Sequence, residues 1–477
     1  MPRPIETSPL LSRQVKPTWR IWESTSPGHR FYLLLFICLV PFGGHFVKNE
    51  MSALEQLLLD DPVVPVSNTM YGALNSAVSI PNMIVPFFGG HVLDSKGHDS
   101  ILIFLVVMCI GQAIFTYAMD AHIFWLALVG RTIFGLGEGS VVAGARAIMS
   151  FWFDRSELTC AMGVMIATTN MSKMLAKATV APLSLYFGGY IYGFVYGLVT
   201  CIVSLVFGIV VVKATARLNQ LKQIVHAQQQ QGKPLEMDSK LGWLANYLNQ
   251  NSTDLEAQQD VREHGMLRSF GEFSLVFWLV VALHVVFINA FHLFQNISSS
   301  YLYQVHSYSI VDAGVISSLS SAFVIIAPFV GLLIDYVGGR MVVIVGSCFL
   351  GVVAYILLVF TSAPPLVAML LFSICLAATP TILMASIPLS IPSHRFGLAF
   401  GLVEVIDAVG GFVGNLGIGY LRDVTGSYDA VMFVLLGLTC LALVLSLVLA
   451  YVNRHTGGNL SSATVRIPLN NRGEFAS

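Results

Sequence analysis

Long apolar segments, separated by shorter polar ones, make up most of the chain. A helix needs about 20 apolar residues to cross the hydrocarbon core of a bilayer, and twelve segments are close to that length. Six come first, at 31–47, 67–93, 100–119, 122–150, 158–187 and 188–213, and six follow, at 273–296, 310–335, 340–361, 364–392, 394–424 and 428–453. This pattern predicts an all-α membrane protein with twelve transmembrane helices, arranged as two bundles of six.

A polar segment separates the two sets of six. We therefore expect five regions: a cytosolic N-terminal tail at 1–30, a six-helix bundle at 31–213, a cytosolic linker at 214–272, a second six-helix bundle at 273–453 and a cytosolic tail at 454–477. A linker this polar is expected to contain short helices and disorder. Its expected role is to tether the two bundles while they move.

Composition narrows the class of protein. Of the residues, 55% are hydrophobic and 11% are charged, whereas soluble domains carry roughly 25% charged residues. The net charge of −1 gives no sign of a nucleic-acid partner. All seven cysteines fall in apolar segments and none forms a C-x-x-C pair, so we expect neither a disulfide framework nor a zinc site. The sequence also lacks a phosphate-binding loop and a nucleophile arrangement, so we expect no enzyme, no cofactor and no bound metal.

The distribution of lysine and arginine predicts the orientation, because cytosolic segments are enriched in both. With the N-terminus in the cytosol, 19 of the 25 basic residues fall in cytosolic segments, while Lys48 and Arg422 face the other side. The remaining four lie within spans: Arg131, Arg146, Lys173 and Lys177. We therefore expect both termini to be cytosolic.

A short motif occurs once in each half, after the second apolar segment. Both copies read Gly-x3-Asp-x2-Gly, and their aspartates are 241 positions apart (335 − 94). Glycine permits a close approach of two backbones, and aspartate can bind a helix N-terminus or an arginine on a neighbouring helix. A hairpin turn is the simpler alternative, but the repeat indicates two homologous halves and a contact that opens and closes on the cytosolic side. The expected gate residues are Gly90, Asp94, Gly97, Gly331, Asp335 and Gly338, with Arg146 as the partner of Asp94.

Together these features resemble the major facilitator superfamily over about residues 31–453. The segment 130–140, an arginine followed by closely spaced glycines, is similar to the family's fourth-helix motif, and 419–426 is similar to its turn after helix eleven. The chain departs from the family at Ser95, where arginine is usual, and at His98 and Asp99, where basic residues are usual. The resemblance implies a secondary transporter that works by alternating access.

Four further segments, 86–90, 109–112, 151–153 and 451–460, resemble a family of lysosomal dipeptide transporters. That family exports dipeptides and works with a glycosylated accessory membrane protein, and the resemblance implies both for this chain. Its members carry glutamate one position later in helix four, where this chain has Gly139. They also carry an arginine in helix five, where this chain has Asn170 with Lys173 nearby.

Ionisable residues inside the spans are candidates for a substrate site, because charge at membrane depth is costly unless it is paired or hydrated. Lys173 and Lys177 lie one turn apart on helix five, and Glu404 and Asp407 share a face of helix eleven. In one interpretation the lysines bind a carboxylate and the acids bind an ammonium, which suits a zwitterion. In the other, these charges pair and lock the halves together. Both stay open, and a substrate that competes for the lock would reconcile them.

Other polar residues complete the predicted substrate site. Arg131 and Glu138 are seven positions apart on helix four (138 − 131), hence on one face. The remaining candidates lie on helices two, five and seven: Tyr71, Asn170 and His284.

The N-terminal tail suggests a location. Glu6, Leu10 and Leu11 fit the acidic dileucine sorting signal Glu-x3-Leu-Leu, which clathrin adaptors bind. The alternative is a disordered tail without a signal. The expected location is the lysosomal or endosomal membrane, with the plasma membrane as the alternative.

These observations favour facilitated transport of small zwitterions, foremost dipeptides, out of the lysosome. The expected partners are the small-molecule substrate, the lipid bilayer, clathrin adaptors and a glycosylated accessory membrane protein, with no nucleic acid. Two alternatives remain. One is a proton-coupled carrier of organic anions or other small metabolites, and the other is a membrane scaffold or sensor that transports nothing.

Overall fold

The apolar segments form helices, and nearly all of the chain that the structure describes is helical. In this computed structural model the described residues are 14–15, 20–23, 26, 28–59, 68–153, 157–230, 236–237, 273–308, 316–317, 319–361, 363–391, 395–425, 427–456 and 460. The predicted sorting signal at Glu6, Leu10 and Leu11 lies outside these residues, and so does most of the predicted linker.

The first half of the chain forms eight helices within the described residues. They are α1 (His29–Leu39), α2 (Phe42–Leu59), α3 (Asn68–Asn82), α4 (Val85–Lys96), α5 (Ile101–Asp120), α6 (Phe124–Trp152), α7 (Leu158–Phe187) and α8 (Ile191–Gln230). The helices α1 and α2 belong to one span, His29–Met51. The helices α3 and α4 form the second span.

The second half repeats this arrangement. Its helices are α9 (Leu275–His306), α10 (Ala327–Val337), α11 (Arg340–Phe360), α12 (Pro365–Ser390), α13 (Phe396–Thr425) and α14 (Asp429–His455). A 3-10 helix, Leu319–Ile326, leads directly into α10, so that the two together form one span.

The number of spans agrees with the prediction. Among the described residues, ten helical segments are long and apolar enough to cross a membrane, and the bent pair α3–α4 makes an eleventh. The more polar α7 is the twelfth, so the protein is an all-α membrane protein with twelve transmembrane helices in two bundles of six. Because twelve crossings return a chain to its starting side, α1 begins and α14 ends on the same side, which we call the terminal face.

The second span breaks where proline interrupts it. Pro81 lies in the last turn of α3 and Pro86 in the first turn of α4. Proline lacks a backbone N–H donor and its ring clashes with the preceding turn. The axis bends by 41° at this break, and the last residue of α3, Asn82, thereby comes to lie beside α6.

The segment after the sixth span begins as a continuation of the helix of that span. The helix α8 continues to Gln230, well past 213. A two-residue strand, β1 (Gln14–Val15), pairs in parallel with β2 (Glu236–Met237), which joins the N-terminal tail to the start of the linker. The sequence pattern of alternating charges and glutamines does not predict this strand pair. The bounds of the five regions stay predictions.

Candidate functional site

Ionisable side chains from both halves form one electrostatic cluster within the spans. We call the following nine residues the central cluster: His45 and Lys48 on α2, Glu138 and Arg146 on α6, Lys173 on α7, His284 and His292 on α9, and Glu404 and Asp407 on α13. Of the nine, five come from the first half and four from the second. The helices that carry them therefore face one another across the boundary between the halves.

One ion pair of the central cluster joins the two halves directly. Arg146 Nη1 on α6 contacts Glu404 Oε1 on α13, and each side chain is only 19% exposed. Arg146 lies six residues before the end of α6 (152 − 146) and Glu404 eight residues after the start of α13 (404 − 396). At 1.5 Å per residue, the pair is about 9–12 Å inside the terminal face. Glu404, predicted for the substrate site, and Arg146, predicted for the gate, are thus partners.

The predicted pairing of Arg146 with Asp94 stays a prediction. The sequence suggested Asp94, but Arg146 lies on the face of α6 that packs against α13, and this packing brings it to Glu404. The side chain of Asp94 lies outside the described part of the structure.

A second ion pair lies deeper in the first half. Lys48 Nζ is 2.6 Å from Glu138 Oε2, and the lysine side chain is 38% exposed whereas the glutamate is 2% exposed. Asn82 Nδ2 donates to the same oxygen at 2.8 Å, and Asn82 Oδ1 accepts from the Gly139 backbone N–H at 3.2 Å. A Cβ atom at Gly139 would lie 2.6 Å from Pro86 Cγ. The broken second span thus packs against α6 and fixes the Glu138 carboxylate beneath Lys48.

A third pair connects α9 and α13 in the second half. His284 Nε2 and Asp407 Oδ2 are 3.0 Å apart. Nearer the opposite face, Asn296 Nδ2 donates to Asn415 Oδ1 at 3.1 Å. Asp407 Oδ1 is buried and has no hydrogen-bond partner among the described residues, so it retains an acceptor for a ligand or water. The predicted site residues Asp407 and His284 are therefore brought together.

The residues predicted for the substrate site on the fifth span, which is helix α7, lie in different surroundings. Lys173 is half-buried and interacts electrostatically with His45 and His292, which places it in the central cluster. The side-chain nitrogen of Asn170 donates to the Ile166 carbonyl on its own helix at 2.9 Å. The side chains of Lys177 and Tyr71 lie outside the described part of the structure.

Arg131 lies inside the first half and not on the surface that the halves share. It is 1% exposed, and its guanidinium lies over the Phe115 ring at 5.0 Å and the Phe134 ring at 5.7 Å. Its Nε donates to the Leu74 carbonyl at 3.4 Å. The helices α5 and α6 approach closely next to it, at Gly130, and enclose its side chain. The geometry gives Arg131 a structural place, which differs from the predicted substrate contact.

We expect Arg131→Met to destabilise the fold. Glu50 is 0% exposed and interacts electrostatically with Arg131, so the substitution would leave a buried acid without a compensating charge. The expected loss is about 2–3 kcal/mol of unfolding free energy, measured as a lower melting temperature. The matched control is Arg454→Met, an exposed arginine at the end of α14. An unchanged melting temperature for Arg131→Met would contradict the structural assignment.

The two halves make their closest backbone contacts near the terminal face. A Cβ atom at Gly90 on α4 would overlap the Gly397 carbonyl on α13, and one at Gly401 would overlap the Pro86 carbonyl. On the other side of the bundle, a Cβ atom at Gly331 on α10 would lie 2.5 Å from the Thr159 carbonyl on α7. Gly90 and Gly331 are the first glycines of the two motif copies. Both copies therefore place glycine where the backbones of the two halves meet.

Asp335, the acid of the second copy, binds the start of α7. Its Oδ2 accepts from the Cys160 backbone N–H at 3.0 Å, and its Oδ1 is 3.0 Å from Arg340 Nη2. The same Arg340 nitrogen donates to Thr159 Oγ1 at 3.0 Å. Both contacts that the sequence suggests for this aspartate, a helix N-terminus and an arginine, are present.

The last glycine of each copy ends a helix. Gly97 follows α4 with φ of 93°, and Gly338 follows α10 with φ of 78°. Residues with a side chain rarely adopt a positive φ. These two glycines therefore shape the turns, while Gly90 and Gly331 permit the contact.

Three residues of this region were not predicted from the sequence. Lys48 seemed to lie outside the first span because the apolar segment ends at 47, although the helix continues to Leu59. Asn82 lies between two prolines, and Arg340 lies two residues after the second motif. For Arg340 the signal was available, since an arginine two residues after Gly338 lies within reach of Asp335.

Comparison with known protein families decides the classification. The family model of the Major Facilitator Superfamily matches residues 31–415. The chain belongs to the Major Facilitator Superfamily. Its fold and relatives are those of superfamily transporters, so it is a multi-pass membrane transporter and not an enzyme.

Relatives within the superfamily share most of the chain. The lysosomal dipeptide transporter MFSD1 of Homo sapiens is 28% identical over 459 residues, covering 91% of this chain and 88% of that protein. The protein of the same name from Danio rerio is 24% identical over 446 residues, covering 91% and 90%. The solved structure of the proton:xylose symporter XylE has a TM-score of 0.65 at 14% identity, covering 88% of this chain and 95% of XylE.

Proposed function

We propose that this transporter moves small zwitterions, foremost dipeptides, out of the lysosome by facilitated transport with alternating access. The observation that carries the proposal is the Arg146–Glu404 ion pair, which joins the two halves inside the membrane. The name of the related MFSD1 proteins supports the substrate class and the organelle.

The position of this pair suggests how substrate binding is coupled to motion. Each side chain of the pair is 19% exposed, so in this proposal a substrate can reach it. An ammonium group that binds Glu404 competes with Arg146 and weakens the ion pair that joins the two halves. Substrate would thus lower the cost of separating the halves.

Charge balance in the central cluster favours a zwitterion. Apart from its histidines, the cluster has three basic and three acidic side chains: Lys48, Arg146 and Lys173 against Glu138, Glu404 and Asp407. A zwitterion adds no net charge, whereas an organic anion would add a charge that the low-dielectric interior penalises. In this proposal Lys173 on the first half attracts the carboxylate, while Glu404 and Asp407 on the second half attract the ammonium.

The contacts at the terminal face supply the gate of this mechanism. Gly90, Gly331 and Asp335 make contacts between the halves there, so in this proposal substrate reaches the central cluster from the opposite face. If the terminal face is cytosolic, as the basic residues predict, the structure corresponds to a state open toward the lumen. Parting of the α4–α13 and α7–α10 contacts would release the substrate to the cytosol.

Location and partners complete the proposal. The dileucine sequence at Glu6, Leu10 and Leu11 would bring clathrin adaptors to the N-terminal tail and direct the protein to lysosomes. A glycosylated accessory membrane protein is proposed from the family resemblance alone.

The test is uptake of dialanine by proteoliposomes that contain the purified protein, at acidic and neutral pH and without a proton gradient. We expect saturable uptake that needs no gradient, and dialanine at 100 times its Kd to stabilise the protein by about 2.7 kcal/mol. N-acetyl-dialanine, which lacks the ammonium, is the matched control and is expected to compete poorly.

Other outcomes would select another function. Uptake of organic acids alone, driven by a proton gradient, would favour the proton-coupled anion carrier. Neither uptake nor a change in melting temperature with amino acids, dipeptides, sugars and organic acids would favour the scaffold or sensor.

A further inference from the structure

A cavity lies between α9, α13 and α14, in the part of the second half that is away from the terminal face. Its volume is about 280 Å³. Its lining is almost entirely apolar and includes Leu293 on α9, Gly414, Gly417 and Leu421 on α13, and Val434 and Leu438 on α14. We call this cavity the lateral groove.

The surface around the lateral groove is exposed and apolar. Val413, Leu416 and Tyr420 on α13 and Val434 on α14 are all exposed. No residue from 408 to 421 on α13 or from 430 to 453 on α14 is charged. An extended apolar surface on a membrane-spanning helix contacts lipid. Lipid acyl chains therefore lie next to the groove.

Glycine creates the open space. At Gly414 the helix α13 packs closely on α9, since a Cβ atom there would lie 2.5 Å from Leu293 Cδ1. A Cβ atom at Gly417 would meet no atom within 4 Å. The helix α13 is thus held against α9 at one side of the groove and leaves a gap toward α14.

The dimensions of the lateral groove suit an acyl chain and exclude a further helix. Gly414 and Leu421 are seven positions apart (421 − 414), which is about 10 Å along the helix axis. The volume divided by this length corresponds to a width of about 6 Å, whereas a helix with its side chains is about 10–12 Å across. One leaflet contributes about 15 Å of hydrocarbon, half of the bilayer core. The groove therefore covers most of the depth of a single acyl chain.

Charged residues of both signs lie where this end of the bundle meets the bilayer surface. Arg422 is the last residue of one span and Asp429 the first of the next. Arg422 directly follows the lining residue Leu421, and its guanidinium carbon lies 4.4 Å from the centroid of the Tyr428 ring. The Tyr428 hydroxyl is buried and has no hydrogen-bond partner among the described residues. Arginine suits a phosphate and a carboxylate suits an ammonium.

We propose that the lateral groove binds one acyl chain of a phospholipid with a zwitterionic headgroup, whose phosphate contacts Arg422 and whose ammonium contacts Asp429. A headgroup with a net negative charge would place that charge beside Asp429 without an ammonium to offset it. The bound chain fills the space that α13 and α14 leave between them. The site takes a membrane lipid and no transported substrate, so it does not depend on the proposed function.

Photo-crosslinking locates the lipid. The full-length protein is reconstituted in liposomes that contain phosphatidylethanolamine with a photoreactive group in one acyl chain, and mass spectrometry identifies the labelled peptides. We expect the label to be concentrated on the peptides that contain Gly417 and Val434. Unlabelled phosphatidylethanolamine is expected to compete at least fivefold better than phosphatidylglycerol, which is anionic, and than diacylglycerol, which has no phosphate.

Two glycine variants give a matched comparison. Gly417→Leu places a side chain in the lateral groove and is expected to lower the labelling at least fivefold. Gly419→Leu is the control, because a Cβ atom at Gly419 also meets no atom within 4 Å and this residue does not line the groove. Since neither substitution meets a neighbouring atom at Cβ, we expect both variants to fold, and their melting temperatures check this.

Arg422 variants test the headgroup contact. In Arg422→Gln we expect phosphatidylethanolamine and diacylglycerol to compete equally, because the cation that binds the phosphate is gone. Arg422→Lys keeps the charge and is expected to retain the preference for the phospholipid. Both variants leave the groove itself unchanged, so the labelled peptides are expected to stay the same.

Each part of the proposal can fail separately. Labelling spread evenly over the exposed helices, or equal labelling of wild type and Gly417→Leu, would overturn the groove as a lipid site. In wild type, equal competition by diacylglycerol would overturn the contact between the phosphate and Arg422. Equal competition by phosphatidylglycerol would overturn the contact between the ammonium and Asp429.

Discussion

Glu404→Gln is expected to abolish dialanine transport and to lower the stability of the protein. The substitution removes the carboxylate that we propose binds the ammonium, and it leaves Arg146 without its partner. Breaking a fully buried ion pair costs about 3–5 kcal/mol. Both side chains here are 19% exposed, so we expect a loss at or below the lower end of that range. Melting temperature and proteoliposome uptake measure the two effects separately.

A charge exchange distinguishes the lock from the substrate contact. In the double variant Arg146→Glu, Glu404→Arg the ion pair can form again with its polarity reversed. We expect the melting temperature to return toward the wild-type value while transport stays absent, because the ammonium then meets an arginine on α13. Recovery of transport in the double variant would show that the pair only locks the halves together.

A control for general loss of an ion pair is available within the first half. Arg30 and Glu157 form a bidentate contact, with nitrogen–oxygen distances of 2.5 and 2.6 Å, and are similarly buried. Glu157→Gln is expected to lower the melting temperature while dialanine still stabilises the protein.

Retained dialanine transport by Glu404→Gln would contradict the proposed role of Glu404.

The sequence predicted the architecture because each span carries its own signal. An apolar segment long enough to cross the bilayer is recognisable without knowledge of its neighbours, and all-α topology with twelve spans is confirmed. The ends of the spans were harder to predict. The seventh span, predicted at 273–296, agrees with Leu275–Ser298, but its helix α9 continues to His306, because polar residues such as Ser298 are buried and satisfy their hydrogen bonds within the helix.

This longer helix also changes the setting of a glycosylation sequon. Asn296, in the sequence Asn-Ile-Ser, is the last residue of the predicted seventh span. It lies instead within α9, and its side chain donates to Asn415 on α13. The polarity of a single residue therefore did not reveal whether it faced water, a loop or another helix.

The site was predictable only where the sequence repeats. Two copies of one motif indicated contacts at equivalent places, and Gly90 and Gly331 do lie where backbones of the two halves meet. Pairing between distant charges carries no such local signal. Arg146 and Glu404 are 258 positions apart, and only the packing of α6 against α13 determines that they meet. Lys48 was predicted to lie outside the first span because its charge ends the apolar segment, although the helix continues past it.

The second large effect is expected from the glycine at the contact between α4 and α13. A Cβ atom at Gly90 would already overlap the Gly397 carbonyl, so the side chain of Gly90→Leu cannot fit while these helices touch. Overpacking a tight contact typically costs 1–3 kcal/mol of stability. The overlapping atom belongs to the Gly397 backbone, which cannot move aside as the end of a flexible side chain can. We expect the terminal face to stay open and dialanine transport to fall below about a tenth of the wild-type rate. The matched control is Gly437→Leu, a glycine of α14 with open space around it.

A cysteine on the other side of the bundle reports whether the halves move as units. Cys160 lies at the start of α7, against Gly331 on α10, and is a free thiol. If each half is rigid, separating α4 from α13 also separates α7 from α10, so Gly90→Leu is expected to raise the rate of Cys160 alkylation at least tenfold. Mass spectrometry of the peptide that contains Cys160 measures this rate without replacing the other cysteines. Unchanged alkylation together with lost transport would mean that Gly90→Leu distorts only its own contact, and the motif copies would then not act as one gate.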